Sequence, residues 1–159
     1  MDDDRYGAEF EHGHADYDDV ELLEQARGNA QAFILGTMAH LLDQGLSVEA
    51  WATSLGQRFG PTWGEPRQWD AGEFLDAMLT NYRSLGATVV EADLQPRHAK
   101  AAIAGFPDAA LCDLFQVNLE VADRVHDVPT VMGEGRGVNW SWQRDGELIR
   151  FQVDRTGGD

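Results

Sequence analysis

The sequence predicts an α+β fold, with N-terminal helices packed on a small antiparallel or mixed four-stranded sheet that ends in a C-terminal β-hairpin. Three observations predict it. Residues 18–85 carry apolar side chains at helical spacing between clear caps. Residues 87–94 and 98–104 read as two strands around a Gln95-Pro96-Arg97 turn. Residues 137–155 alternate apolar and polar side chains about Asp145-Gly146, a strong hairpin signal.

Residues 1–17 lack apolar periodicity and are rich in acid and glycine, which predicts an acidic disordered tail before a single α+β domain over 18–155. His12 and His14 stand among Glu9, Glu11 and Asp16, a set read as solvated rather than as a metal site. The long helix runs from Asp18 to Gln44, with Asp18 or Asp19 as N-cap and Gly45 as its left-handed stop. Its expected apolar stripe is Leu22, Leu23, Ala26, Ala30, Phe33, Ile34, Thr37 and Leu41. Gly28, Ala32, Gly36 and His40 share a second face, where small residues invite close approach of a helix, a ligand or a second copy of the chain.

Ser47 caps a second helix with Val48, Trp51, Ala52, Leu55 and Phe59 on one face. The Gly60–Trp69 loop, rich in Gly, Pro and Trp, is expected to be pinned to the core. Asp70 and Glu73 fit a capping box before the helix of Phe74, Leu75, Met78, Leu79, Tyr82 and Leu85, which Gly86 ends. In the following strand, Thr88, Val90, Ala92 and Leu94 are expected on one side. Residues 98–104 are alanine-rich enough for a helix. A strand is preferred because a hairpin here completes a four-stranded sheet with the C-terminal one. Asp108 caps a short helix holding Leu111, Cys112, Leu114 and Phe115. Asn118 caps the last helix, which Pro129 should kink. In the C-terminal hairpin a two-residue Asp145-Gly146 loop pairs Arg144 with Glu147, Trp142 with Ile149, Trp140 with Phe151 and Val138 with Val153. The apolar pairs then share one face.

The formal net charge is −16, which argues against nucleic acid and anionic membrane as partners. No apolar run reaches the ~20 residues of a membrane span, and the acidic N-terminus is unlike a secretory signal, so a cytoplasmic location is the default expectation. One cysteine excludes internal disulfides and a multi-cysteine zinc site. No metal-binding or phosphate-loop motif is present, and the motifs name no cofactor.

Five tryptophans in a modest chain suggest an aromatic-lined pocket for a small, largely apolar ligand, built from Phe33, Gly36, Trp51, Phe74, Trp140, Trp142 and Phe151 and anchored by His40 or His126. The plainer reading makes these side chains core. A second function class is a hydrolase with Cys112 as nucleophile and His126 or His40 as base. A buried structural thiol is the plainer reading there. A third is an acidic interaction subunit, dimeric through the Gly28/Ala32/Gly36 face.

Gly105-Phe106-Pro107, Cys112 and the final GRGVNWSWQRDGELIRFQV hairpin carry a resemblance to a known group. In order of elements the chain resembles the small α+β proteins around the L-2-amino-thiazoline-4-carboxylic acid hydrolase-like and 4-vinyl-reductase-type domains, the latter richer in cysteine. That resemblance implies binding of a small, largely apolar molecule, or hydrolysis of a cyclic amide-like bond.

Overall fold

The computed structural model describes residues 17–157. The expected tail, with His12 and His14, lies outside the described residues except for Tyr17. Helix α1 spans Asp19–Asp43, and Asp18 is its cap. The Asp18 carboxylate accepts from Glu21 N at 2.9 Å while Glu21 accepts from Asp18 N at 3.0 Å, a complete capping box. Helix α2 spans Val48–Phe59 and runs into a 3₁₀ turn, Gly60–Trp63. Helix α3 spans Ala71–Ser84, with Asp70 accepting from Glu73 N at 2.7 Å. The reciprocal half of that box is absent, because Glu73 pairs with Arg67 instead.

The strands are β1 (Thr88–Leu94), β2 (His98–Ala104), β3 (Val138–Asp145) and β4 (Leu148–Arg155). They form one antiparallel sheet in the order β1-β2-β4-β3. The expected four-stranded sheet is therefore present, with residues 98–104 as a strand. Between its two hairpins lie α4 (Ala109–Phe115), α5 (Leu119–Ala122), a 3₁₀ segment (Asp123–Asp127) and α6 (Val128–Glu134). Pro129 sits in the first turn of α6, where its missing N–H costs nothing. The expected single kinked helix is thus three helical pieces in series.

The helix-covered face of the sheet carries Val138 and Trp140 of β3, Ile149, Phe151 and Val153 of β4, and Ala99, Ala101 and Ile103 of β2, all buried. Alanine is a poor strand former, but α3 lies against β1, β2 and β4, and small side chains on β2 leave room for Phe74, Met78 and Tyr82. Two glycines mark where backbones touch. A Cβ on Gly56 of α2 would lie 2.4 Å from the Val128 carbonyl oxygen, and one on Gly72 of α3 would lie 2.4 Å from that of Leu94.

Three expectations are corrected. First, the C-terminal loop is Gly146-Glu147, not Asp145-Gly146: Asp145 pairs with Leu148, Trp142 with Phe151 and Trp140 with Val153. Gly146 has φ +62 and Glu147 does not share the sign, the pattern of a type II′ rather than a type I′ turn. The loop moves by one residue, so partners move by two and every side chain keeps its face. Second, a β-bulge at Val90 switches sides within β1, so Val89 rather than Val90 joins Ala92 and Leu94 facing the helices.

Third, the buried stripe of α1 is Gln31, Leu35 and Met38, with Ile34 partly buried. Phe33 is 78% exposed, and Leu22 and Leu23 are also solvent-facing. Residues 33–35 are all apolar, so apolarity alone cannot choose among three rotations of the helix. Gln31 makes the choice. Its amide donates to Leu85 O and Gly105 O, both at 2.8 Å, and its oxygen accepts from Asp108 N at 3.0 Å. A buried amide with every strong bond satisfied fixes the helix against three chain segments.

Candidate functional site

The C-terminal hairpin reads its neighbours through alternate residues of β3. Trp140 Nε1 donates to His126 O at 2.8 Å, and Trp142 Nε1 donates to Asp127 Oδ1 at 2.8 Å. Arg144 grips Asp123 with two bonds, Nε to Oδ2 at 2.6 Å and Nη2 to Oδ1 at 2.7 Å. Period-two side chains of a strand thus meet the irregular Asp123–Asp127 segment, where a 3₁₀ turn presents both backbone and carboxylate acceptors. Arg124 closes the set from outside, 3.2 Å from Asp127 and over the Trp142 ring.

His126 is fully buried at the centre of this region. Its ring is enclosed by Tyr82, Phe106, Trp142 and Phe151, with ring centroids 5.2 to 5.8 Å away. Its Nδ1 lies 3.0 Å from the Tyr82 hydroxyl, and Nε2 has no partner within hydrogen-bonding geometry. Burial, and then the nearby Arg144 cation, pushes the imidazole down to about 3, while a weaker pull from the Phe106 backbone opposes this. His126 is therefore neutral near pH 7. Tyr82 is buried too, and burial raises its phenol above its ordinary value, helped by the Asp127 charge.

Phe74, Trp140 and Phe151 are core. Trp140 packs on Phe151 at 4.6 Å and on Phe74 at 6.2 Å, and Tyr82 stacks on Phe151 at 5.0 Å with the planes 9° apart. The aromatic wall of the hairpin is filled by the protein's own rings. Trp142 is only partly buried, and Trp51 lies partly buried at the edge of the core. A Cβ on Gly36 would lie 3.4 Å from the Phe115 ring, so its small surface serves a crossing with α4. Phe33 and His40 face solvent on α1 and join none of these groups. Cys112 is buried, and burial with the Asp123 charge pushes its thiol up to about 11. No hydrogen bond joins it to a histidine among the described residues.

An open apolar groove lies on the other side of Tyr82. It has a volume of about 240 Å³ and runs between α1, α2, α3 and α6, with walls from Ile34, Leu55, Phe59, Trp63, Met78 and Tyr82. Trp63 packs on Trp69 at 5.7 Å and on Phe74 at 5.9 Å, which pins the Gly60–Trp69 loop to the core as expected. The buried Arg136 holds that loop from below, donating to Gly60 O at 2.7 Å. None of the seven side chains expected to line a pocket lies in this groove. The sequence did flag Trp63 and Tyr82, through the Trp-rich loop and the α3 stripe. It carried no sign that four separate helices leave a gap between them.

The far face of the sheet carries an open depression of about 720 Å³ lined by Glu91, Lys100, Arg150 and Gln152 together with Trp142 and Phe151, two of the residues expected to line a pocket. Its charges are largely self-paired: Arg150 bridges Glu91 and Asp145 across the sheet, and His98 pairs with Asp154. Among the described residues no cluster of His, Cys, Asp and Glu fits a metal ion, and no helix is long and apolar enough to cross a membrane.

No family model matches the chain, and neither a curated protein nor a solved structure matches it.

Proposed function

We propose that this domain binds a small, largely apolar or aromatic molecule in the groove between α1, α2, α3 and α6. The observation that carries the reading is the groove itself, an opening of about 240 Å³ whose wall is almost wholly apolar and includes the Trp63 and Tyr82 rings. It is smaller than the roughly 300–1,000 Å³ of drug-sized sites, which sets the ligand at the size of one ring or a short chain. The side-chain oxygens of Asn81 and Ser84, whose donors already bond Ala77 O and Asn81 O, would accept from the ligand. The resemblance to domains that bind small apolar molecules points the same way. Hydrolysis through Cys112 is the weaker reading, because its thiol is buried and resists ionisation.

The test is titration with the neutral dye Nile red, beside native mass spectrometry of the protein as purified. Saturable dye binding that is lost in Phe59→Glu, a partly exposed position in the groove, is the expected result. Non-saturating binding, or binding that Phe59→Glu leaves intact, would sink it.

A second reading rests on α1. Val20, Leu22, Leu23 and Phe33 are exposed along it, and Leu114 of the adjoining α4 is 75% exposed. Helical turns without tertiary packing are marginal alone, so a partner is expected. We assign that partner as a second copy of the chain, with the two α1 helices antiparallel. The acids of α1 gather at its N-terminal end, at Asp18, Asp19, Glu21 and Glu24, with Asp43 alone at the other end, and residues 28–42 carry no acid, lysine or arginine. Antiparallel pairing keeps the two N-terminal acid groups apart and opposes the helix dipoles. A dimer mass in solution that becomes monomeric in Phe33→Ser with Leu22→Ser supports it, and a monomer mass for the native chain rejects it.

A further inference from the structure

A second groove lies on the opposite side of α3 from the apolar one. It runs between α3 and the edge strand β1, is closed at one end by α1, and has a volume of about 480 Å³. Its polar lining is Arg27 of α1, Asp76, Thr80 and Arg83 of α3, and Thr88 of β1. Among the described residues neither arginine has a carboxylate within ion-pairing distance, in contrast to Arg67, Arg124, Arg144 and Arg150, each of which is paired. Arg27 Nε is shielded from solvent and makes no hydrogen bond. Arg136, a fully buried arginine whose Nε is likewise unbonded, is held by two carbonyls through its terminal nitrogens, whereas Arg27 is only partly buried. Arg27 has no such anchor.

A guanidinium donor without an acceptor costs on the order of 1–3 kcal/mol, so the partly buried Arg27 side chain gains from an acceptor that the groove brings to it. We propose that this groove binds a small ligand through an oxyanion, a carboxylate or a phosphate, held by Arg27 and Arg83 with the Thr88 hydroxyl as a further donor. The planar donor fork of arginine suits either group in a bidentate grip. Thr80 is committed elsewhere, since its hydroxyl donates to Asp76 O at 3.0 Å. Asp76 faces the same groove and competes with the oxyanion for the two cations. The net charge of −16 repels anions at long range, so binding here depends on local donors and not on the overall field. The site stands apart from the apolar groove, because Asp76, Leu79, Thr80 and Arg83 occupy one side of α3 and Met78, Asn81, Tyr82 and Leu85 the other.

The experiment follows the arginine Nε–H signals of the ¹⁵N-labelled protein by NMR during titration with inorganic phosphate and, separately, with acetate, at ionic strength held constant with chloride. The expected result is a saturable shift of the Arg27 signal, weakened at least tenfold in Arg83→Gln and tightened in Asp76→Asn. Whichever of phosphate and acetate saturates at lower concentration names the oxyanion class. A shift that grows linearly, that chloride reproduces, or that persists unchanged in Arg83→Gln overturns the proposal. So does loss of the response in Asp76→Asn, which would make Asp76 the true partner of Arg27. Arg83 is exposed, so Arg83→Gln keeps the fold and the comparison holds.

Discussion

The Tyr82 hydroxyl and His126 Nδ1 lie 3.0 Å apart inside a shell of aromatic rings, and both residues are buried. Tyr82 comes from α3 and His126 from the 3₁₀ segment, so this one bond joins the helix that covers the sheet to the segment the hairpin grips. Tyr82→Phe keeps the ring stacking and removes only the hydroxyl. It leaves a second ring nitrogen of His126 unpartnered, and the expected loss is about 1–3 kcal/mol. Urea unfolding of the two proteins at one pH measures it, and an equal midpoint would show that the bond contributes nothing.

His126 also makes stability depend on pH. Its folded value is pushed down to about 3 from an ordinary 6.5, so below 6.5 the unfolded chain binds a proton that the folded chain refuses. The stabilisation is complete above pH 6.5 and is lost as pH falls toward 3. One proton gives a slope of about 1.4 kcal/mol per pH unit. Carboxylates titrate in the lower part of that window, so the quantity to measure is the difference between the native protein and His126→Gln from pH 5 to 7.5. The native protein should lose stability faster on acidification, and parallel curves would contradict the depressed imidazole.

The Arg144–Asp123 pair is asymmetric. The Asp123 side chain is 3% exposed and that of Arg144 is 25% exposed. Removing the arginine strands a buried carboxylate, for an expected cost of about 3–5 kcal/mol. Removing the carboxylate leaves an arginine that still donates to Gly146 O at 3.1 Å and can reach water. Arg144→Ala should therefore destabilise more than Asp123→Ala in chemical denaturation. The reverse order would show that the arginine, not the aspartate, carries the desolvation cost.

The caps, the strands and the hairpin face were legible in the sequence because each rests on short-range chemistry: Asp18, Ser47, Asp70 and Asp108 all accept from the backbone as N-caps do. The rotation of α1 was not, since it depends on Gln31 reaching Leu85, Gly105 and Asp108, partners 54 to 77 residues away. The same holds for the candidate site. Tyr82 could be read as an apolar helix position, but its meeting with His126 and its place on a groove wall arise only when four helices are assembled. Trp140 and Phe151 were correctly seen to share a face, yet sequence alone could not say that Phe74 and Tyr82 would fill the space in front of them.

Gly28 and Gly56 look alike in the sequence, each a glycine inside a helix, and the structure separates them. A Cβ on Gly28 meets nothing within 4 Å, whereas one on Gly56 would lie 2.4 Å from the Val128 carbonyl. Gly28→Ala should stabilise by up to about 1 kcal/mol through helix propensity. Gly56→Ala should destabilise by about 1–3 kcal/mol, because α2 and α6 must separate. Thermal unfolding of the two variants gives shifts of opposite sign. A stabilising Gly56→Ala would mean that the two helices are not held this close.

Cys112 provides the sharpest test of whether any thiol chemistry belongs to this domain. It is buried, and with its thiol pushed up to about 11 only about one molecule in three thousand carries a thiolate at pH 7.5. Its nearest charged influences are the acids Asp123 and Asp108, which disfavour ionisation, with Arg144 opposing them. Iodoacetamide should leave the native protein unmodified on the timescale that fully alkylates it in urea, as read by intact mass. Alkylation of the native protein at a rate matching a free exposed thiol would mean that Cys112 opens to solvent. That result would put the nucleophile reading ahead of the binding groove.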